Sequence, residues 1–503
     1  MTAPASAPIL SCAEAKAWEE RLFAGDEAAE WSAMQHAGRA VAAGVLHDFH
    51  EIGGFPSAGR VLVLAGKGHN AGDALLAAKF ILEKHPASRV GVFFVFGERG
   101  LRPLAQRAWQ MLVQAAPERV TAVRKLAASH DLCLDGIFGF QFRPPFDAAV
   151  EKLLRRVNAH PRIRLRAAVD LPSGTGDIPG EVSFRADFTY ATGIVKLPVV
   201  NGDNAECVGR LRYLNLGFFK VDEAEAHMRV LTPSVLAPLL QLRASESNKR
   251  TYGHLFVLGG SRNYPGAVLM TVLAALRSGV GLVTAFVPES VAAAFAARAP
   301  EAMWIGWPET PSGGLALEGL HLLRERLEHA NALVIGPGLG REAETLALVT
   351  EVVKTSPGPL LLDADALQPD IVRAGMAPRV LTPHLGELRR ILEGGDFYKT
   401  AVSGETVMMA KGRLTAITQT GRGCAYSPFG GPVLARGGSG DLLAGLTGGL
   451  LAQTPAEPLL AACRGAVWHG LAADALARAH GQVAVATTQL LDFLPAALRE
   501  AGA

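Results

Sequence analysis

Two glycine-led loops that each run into an acidic residue are where this sequence is equipped for chemistry. In GKGHNAGD (Gly66 to Asp73) and GGSGD (Gly437 to Asp441), the missing side chains let backbone N–H groups approach an anion. The helix that each loop is set to open adds the positive end of its dipole. The first is not GxGxxG, because Ala71 holds the sixth place, and it is not a P-loop. Asp441, directly after GGSG, is placed to deprotonate a hydroxyl attacking a phosphate held by that loop; an isolated carboxylate at a helix start is more often only a cap. Other polar residues follow short apolar runs: Asp135 in LCLDGIFG, Asp170 and Ser173 in AAVDLPSG, and His384 in LTPHLGEL. His47 and His50 (HDFH) give a weaker lead to a metal hydrolase, lacking a third ligand or an HExxH pattern.

Such loops need buried strands behind them. Val61 to Ala65, Val90 to Phe96 and Leu165 to Val169 are short, apolar and β-branched or aromatic, as parallel strands covered on both faces are. Between them, Asp73 to Lys84, Leu104 to Ala115 and Phe146 to Asn158 space apolar residues as helices do. A second series has strands at His254 to Leu258, Leu282 to Val287, Ala332 to Ile335, Pro359 to Leu362 and Arg379 to Leu381. Its helices include Gly266 to Ser278 and Glu342 to Lys354. The alternation predicts an α/β fold in two domains, with ligands at the carboxyl ends of the strands. The boundary is expected near residue 228, dividing 1–228 from 229–503, in a stretch between Phe219 and Arg250 without a buried-strand signature.

Composition limits the partners. The 503 residues carry 49 Lys+Arg against 47 Asp+Glu, a net +2, so no strong field exists to recruit nucleic acid or anionic membrane. The longest stretch free of Asp, Glu, Lys and Arg, Leu442 to Ala456, contains Gly, Gln, Thr and Pro and does not read as a bilayer span. The N-terminus lacks the pattern of a secretory signal, and cytoplasmic residence is expected. Five cysteines, never in CxxC, predict reduced thiols rather than a disulfide framework or a thiolate zinc site.

GKGHNAGD, LDGIFG and VDLPSG, in that order and spacing, resemble the NAD(P)H-hydrate epimerase domain, a Rossmann-like doubly wound fold. The resemblance implies a potassium ion held by Asn70, Asp135 and Ser173. It also implies a hydrate ligand held by His69, Asn70, Ala71, Gly72, Asp73, by the loop Gly139, Phe140, Gln141, Phe142, Arg143, Pro144, Pro145, and by Asp170. ARGGSGD, GGSRNYPGA, IGPGLG, LLDADAL, LTPHLGEL and AKGRLT resemble the ribokinase-like, ADP-dependent NAD(P)H-hydrate dehydratases. That likeness implies hydrate contacts at Ala267, Gly338, His384 and Asp441, with Asp441 as the base. It implies an adenine nucleotide on Lys411, Gly412, Arg413, Leu414, Thr415, Gly437, Gly438, Ser439 and Gly440, with magnesium near Asp363 and Asp365.

Together these imply a bifunctional enzyme acting on hydrated NADH and NADPH, which carry a hydroxyl at C6 of the nicotinamide ring. One half interconverts the R and S epimers; the other removes water from the S epimer with ADP, giving NAD(P)H, AMP and phosphate. A homo-oligomer is expected. Several residues depart from the family pattern: His69 for Asn, Ala71 and Ala74 for Gly, GFQFRPP for the usual loop, KGRLT for KGxGT, and a shortened stretch from Glu387 to Lys411. Two rivals stay open at this point, a small-molecule kinase and a dehydratase fused to a noncatalytic binding domain.

Overall fold

The computed structural model describes residues 4–219, 226–392 and 405–502. The chain forms two compact units: Ala7–Val230 with Ala477–Gly481, and Met1–Ser6 with Leu231–Leu476 and Gln482–Ala503.

In the first unit, seven strands lie side by side in the order Val120–Ala122, Arg89–Phe94, Arg60–Ala65, His130–Gly136, Ile163–Val169, Phe188–Thr192, Arg210–Leu214, every pair parallel. Alternate side chains of RVLVLA explain why it is buried on both faces. Val61, Val63 and Ala65 pack with residues of the helices Glu27–Asp48 and His69–Lys84, whereas Leu62 and Leu64 pack with Val150, Leu153 and Leu154 of Ala148–Asn158. The chain order turns back between Arg60–Ala65 and His130–Gly136, and that reversal opens a crevice at their carboxyl ends. Gly66 sits at this point because a Cβ there would collide with the Ile137 carbonyl of the neighbouring loop.

The second unit orders its strands Met303–Trp307, Leu282–Pro288, His254–Leu258, Ala332–Ile335, Leu360–Leu362, Arg379–Leu381, Thr406–Ala410, Thr415–Gln419, Cys424–Ser427. The first seven are parallel and the last two antiparallel. Its reversal lies between His254–Leu258 and Ala332–Ile335. Helix Ser439–Gln453, which carries the GGSGD motif, crosses Pro265–Arg277 closely through small residues. At Gly445 an added Cβ would strike the Thr271 carbonyl. Gly445→Ala should therefore lower stability by about 1–3 kcal/mol through overpacking, read as a lower denaturant midpoint with an unchanged m-value.

Three expectations change. The helix expected from Asp73 begins at His69, capped by the backbone of Gly68 alone, because Gly72 fits against Met34 and so continues the helix instead of ending a loop. The stretch expected to lack a strand contains Met228–Leu231, with Val230 and Leu231 fully buried; four residues amid charge and proline are too few to show a period. The shortening expected before Thr406 falls mainly at 393–404, outside the described residues. No described helix is long and apolar enough to cross a membrane. All five cysteines are free thiols, three of them buried.

Candidate functional site

At the reversal of the first sheet, a cavity of about 500 Å³ opens between Gly68–Asp73, the loop from Ile137 to Asp147, and Asp170. Asp135, next to last in strand His130–Gly136, is wholly buried. Its Oδ1 accepts the Ser173 hydroxyl at 2.7 Å and the Ile137 N–H at 3.2 Å, and its Oδ2 accepts the Ser173 N–H at 2.7 Å. Burial still pushes this carboxyl up to about 6, against the pull of those hydrogen bonds. Asn70 donates through Nδ2 to the Phe138 carbonyl at 2.9 Å, which leaves its buried Oδ1 without a donor. The Ser173 hydroxyl also lies 3.4 Å from the Phe138 carbonyl, so Asn70 and the Ser173–Asp135 pair meet at one backbone oxygen, and a buried oxygen without a donor there suits a hard cation.

Asp170 takes a left-handed backbone, φ +68°, a conformation that side chains other than glycine seldom adopt. Its Oδ1 accepts from Lys196 Nζ at 2.5 Å and from Thr192 Oγ1 at 3.3 Å, and Lys196 is only 1% exposed. Phe140 lays its ring 5.0 Å from the same ammonium. Glu19 and Asp73 complete this end of the cavity. Burial pushes Glu19 up to about 7, and burial, then repulsion from Asp170 and Glu19, holds Asp73 well above its ordinary range. The loop Gly139 to Pro145 is anchored by Phe142, which stacks on Phe146 at 4.5 Å. Lys67, Arg102 and Arg143 add positive charge to the cavity lining.

His69, Asn70, Asp73, Gly139, Phe140, Gln141, Phe142, Arg143, Pro145 and Asp170 line this cavity; Ala71, Gly72 and Pro144 do not. Ala71 and Ala74 bury their methyls in the core beneath the helix, so these departures from glycine do not narrow the cleft. Glu19, Thr192 and Lys196 also line it, and no motif in the sequence marks them. A lone cation in the apolar run ATGIVKLPVV is a signal that would have found Lys196.

In the second unit, Gly438 turns left-handed at φ +92°, starting the helix whose first turn holds Asp441. Lys411 Nζ reaches Asp363 Oδ1 at 2.9 Å and lies 3.3 Å from where a Cβ on Gly440 would stand, so its charge sits against the helix start. Thr382 donates to the same Asp363 oxygen at 2.6 Å. Burial, then the Asp363 charge, pushes Asp441 up to about 6, with Lys411 opposing. Burial works against the Lys411 charge, but Asp363, Glu387 and Asp441 outweigh it and raise its pKa.

His384 pairs alongside Lys411 through a single bridge and is exposed. Its Nδ1 accepts the N–H groups of Gly386 at 3.0 Å and Glu387 at 3.3 Å, which assigns the ring proton to Nε2. Gly338 and Ala267 adjoin, an added Cβ on the former lying 3.1 Å from the latter's. Lys411 to Thr415 form the hairpin turn between Thr406–Ala410 and Thr415–Gln419. The Ser439 hydroxyl donates back to the Leu434 carbonyl at 2.7 Å, so that residue offers a ligand its backbone. Asp365 is held by the Arg341 guanidinium at 3.0 Å and the Gly340 N–H at 3.1 Å, whereas Asp363 faces Asp441. Among the described residues no three His, Cys, Asp or Glu side chains cluster as a metal site, and His47 and His50 join none.

A carboxylate, a glycine-led helix start and a lysine ammonium thus converge in one unit, and a cleft lined by Glu19, Asp73, Asp170 and Lys196 lies in the other. A family model described as NAD(P)H-hydrate dehydratase matches residues 255–496, and one described as YjeF-related protein N-terminus matches 31–197. A bifunctional NAD(P)H-hydrate repair enzyme of Gloeobacter violaceus is 35% identical over 516 residues, 97% of each chain. One of Moorella thermoacetica is 34% identical over 473 residues, 88% of this chain and 87% of that one. The chain belongs to the bifunctional NAD(P)H-hydrate repair enzymes. It is a lyase and an isomerase, with an epimerase half and a dehydratase half, and the kinase alternative is not supported. The ADP/ATP-dependent NAD(P)H-hydrate dehydratase of Bacillus subtilis, crystallised with ATP and Mg2+, is 29% identical, covering 54% of this chain and 97% of that one with a TM-score of 0.45.

Proposed function

We propose that Asp441 is the base of the dehydratase half and that Gly437 to Gly440, with Lys411, hold the phosphates of ADP. One observation carries this reading: a carboxylate lies in the first turn of a glycine-led helix, with the Lys411–Asp363 pair against that turn. Asp441 takes the proton of the C6 hydroxyl as its oxygen attacks the terminal phosphorus of ADP, and the bond to the AMP oxygen breaks. Phosphate is a far better leaving group than hydroxide. Its departure, helped by the N1 lone pair, and loss of a C5 proton restore the C5=C6 double bond of NAD(P)H. Ala267, Gly338 and His384 contact the hydrate in this reading, and Gly412, Arg413, Leu414 and Thr415 the nucleotide. Asp363, whose charge acts on Asp441, is the carboxylate that would stand by magnesium bound with the nucleotide, and the ion would supply positive charge to the phosphoryl oxygens. With the halves dividing near residue 228, the enzyme acts on the hydrates of NADH and NADPH in the cytoplasm.

Product analysis tests the dehydratase assignment. NADH, AMP and phosphate should appear in equal amounts from the S hydrate and ADP. A phosphorylated hydrate that accumulates without absorbance at 340 nm would overturn it in favour of the kinase.

In the epimerase half, Asn70, Asp135 and Ser173 would hold potassium, a reading supported by the donor-free Asn70 oxygen, and the ion would supply positive charge that offsets the buried Asp135 carboxylate. Because burial raises that carboxyl to about 6, protons compete with the cation below this pH. Potassium should raise the melting temperature of the epimerase half at pH 7.5, and the potassium needed should climb about tenfold per pH unit below 6. Equal stabilisation at pH 5 and 7.5 would contradict the ligand set.

A further inference from the structure

The acidic end of the epimerase cavity draws its groups from separate elements. Glu19 stands on helix Cys12–Phe23, Asp73 on His69–Lys84, Asp170 just after strand Ile163–Val169, and Lys196 in the short strand Val195–Lys196. These carboxylates are not equivalent. Asp170 is neutralised by Lys196 in a pair that is almost wholly buried, and each partner needs the other there. Among the described residues, neither Glu19 nor Asp73 makes an ion pair or a side-chain hydrogen bond. Both also face a second chamber of about 140 Å³ that adjoins the main cavity and shares Thr192, His69 and Phe140 with it. Two carboxyl groups with uncommitted oxygens, set between a ligand cavity and an adjoining space, are equipped to exchange protons with a bound hydroxyl.

We propose that Glu19 is a catalytic acid–base residue of epimer exchange, acting with Asp73 on the C6 hydroxyl, while the Asp170–Lys196 pair positions them. This rests on the assignment of epimer exchange to this cleft. C6 carries its hydroxyl next to N1, so inversion needs no oxidant or reductant. One carboxylic acid gives its proton to the hydroxyl; the C6–O bond breaks, the N1 lone pair forms N1=C6, and water departs. C6 is then planar, and a water adding to the other face gives up a proton to a carboxylate, regenerating the hydroxyl with inverted configuration. A group near half protonation at neutral pH serves both directions, and burial brings Glu19 to about 7. The charged and titratable groups that face it are Asp73 and His69, Asp170, Lys196, and Glu30 of helix Glu27–Asp48, with Lys16 and Glu20 on its own helix.

The test uses the full chain without ADP, following conversion of one hydrate epimer into the other by chromatography. Glu19→Gln should lower kcat for exchange about a hundredfold with little change in KM and remove the pH dependence near 7, whereas Glu19→Asp should restore much of the rate. Exchange in water enriched in oxygen-18 should place one solvent oxygen at C6 per inversion. Wild-type-like exchange in Glu19→Gln, loss in both variants alike, or inversion without label would overturn the proposal. No exchange by the unaltered protein would instead remove the epimerase assignment on which it rests.

Discussion

Asp441→Asn is expected to lower ADP-dependent recovery of NADH from the S hydrate about a thousandfold while leaving ADP affinity within a few-fold. The amide keeps the size of the side chain but cannot take the proton of the C6 hydroxyl. The glycine turn and Lys411, which the account assigns to the phosphates, are untouched. A second signature follows from burial. The Asp441 carboxyl is raised to about 6, and only its ionised form is a base, so kcat/KM should rise with pH through about 6 and then level. The variant should lack that limb. A variant that retains most of its rate would mean that the base is elsewhere.

Lys411→Met should have the second large effect, on folding as well as on turnover. Its ammonium neutralises Asp363, which is 2% exposed, and removing it strands a buried carboxylate. Breaking such a pair from one side costs about 3–5 kcal/mol. Denaturant titration of the single variant and of Lys411→Met with Asp363→Asn should separate the causes, since the double change removes the stranded charge and should recover most of the stability. Nucleotide binding should stay weak in both. A single variant as stable as the parent would show that water or another cation already serves Asp363.

What the sequence disclosed, and what it withheld, has a physical pattern. Strands such as RVLVLA and HLFVL are buried on both faces, so unbroken apolar runs mark them, and the loops at their carboxyl ends follow. GGSGD was legible because its glycines and carboxylate are contiguous and fold into one turn. Pairings between groups distant along the chain were not. Lys196 meets Asp170 across 26 positions, and Lys411 meets Asp363 across 48. Glu19 lies in a helix rich in charge, where nothing local separates a cavity-facing acid from a solvated one. Helix His69–Lys84 starts one turn earlier than its sequence suggests because Gly72, a weak helix former, packs against Met34. The side chain of Ser439 likewise shows its purpose only once the Leu434 carbonyl is beside it.

The two halves act in succession on hydrated NAD(P)H, one exchanging epimers and the other dehydrating the S form. Recovery of absorbance at 340 nm from mixed R and S NADHX, with ADP, magnesium and potassium, tests it most directly. Complete recovery is expected, faster than spontaneous epimer exchange permits and dependent on ADP. Recovery that stops at the S fraction and then continues at the spontaneous rate would contradict it, leaving a dehydratase beside a half that binds without turning over.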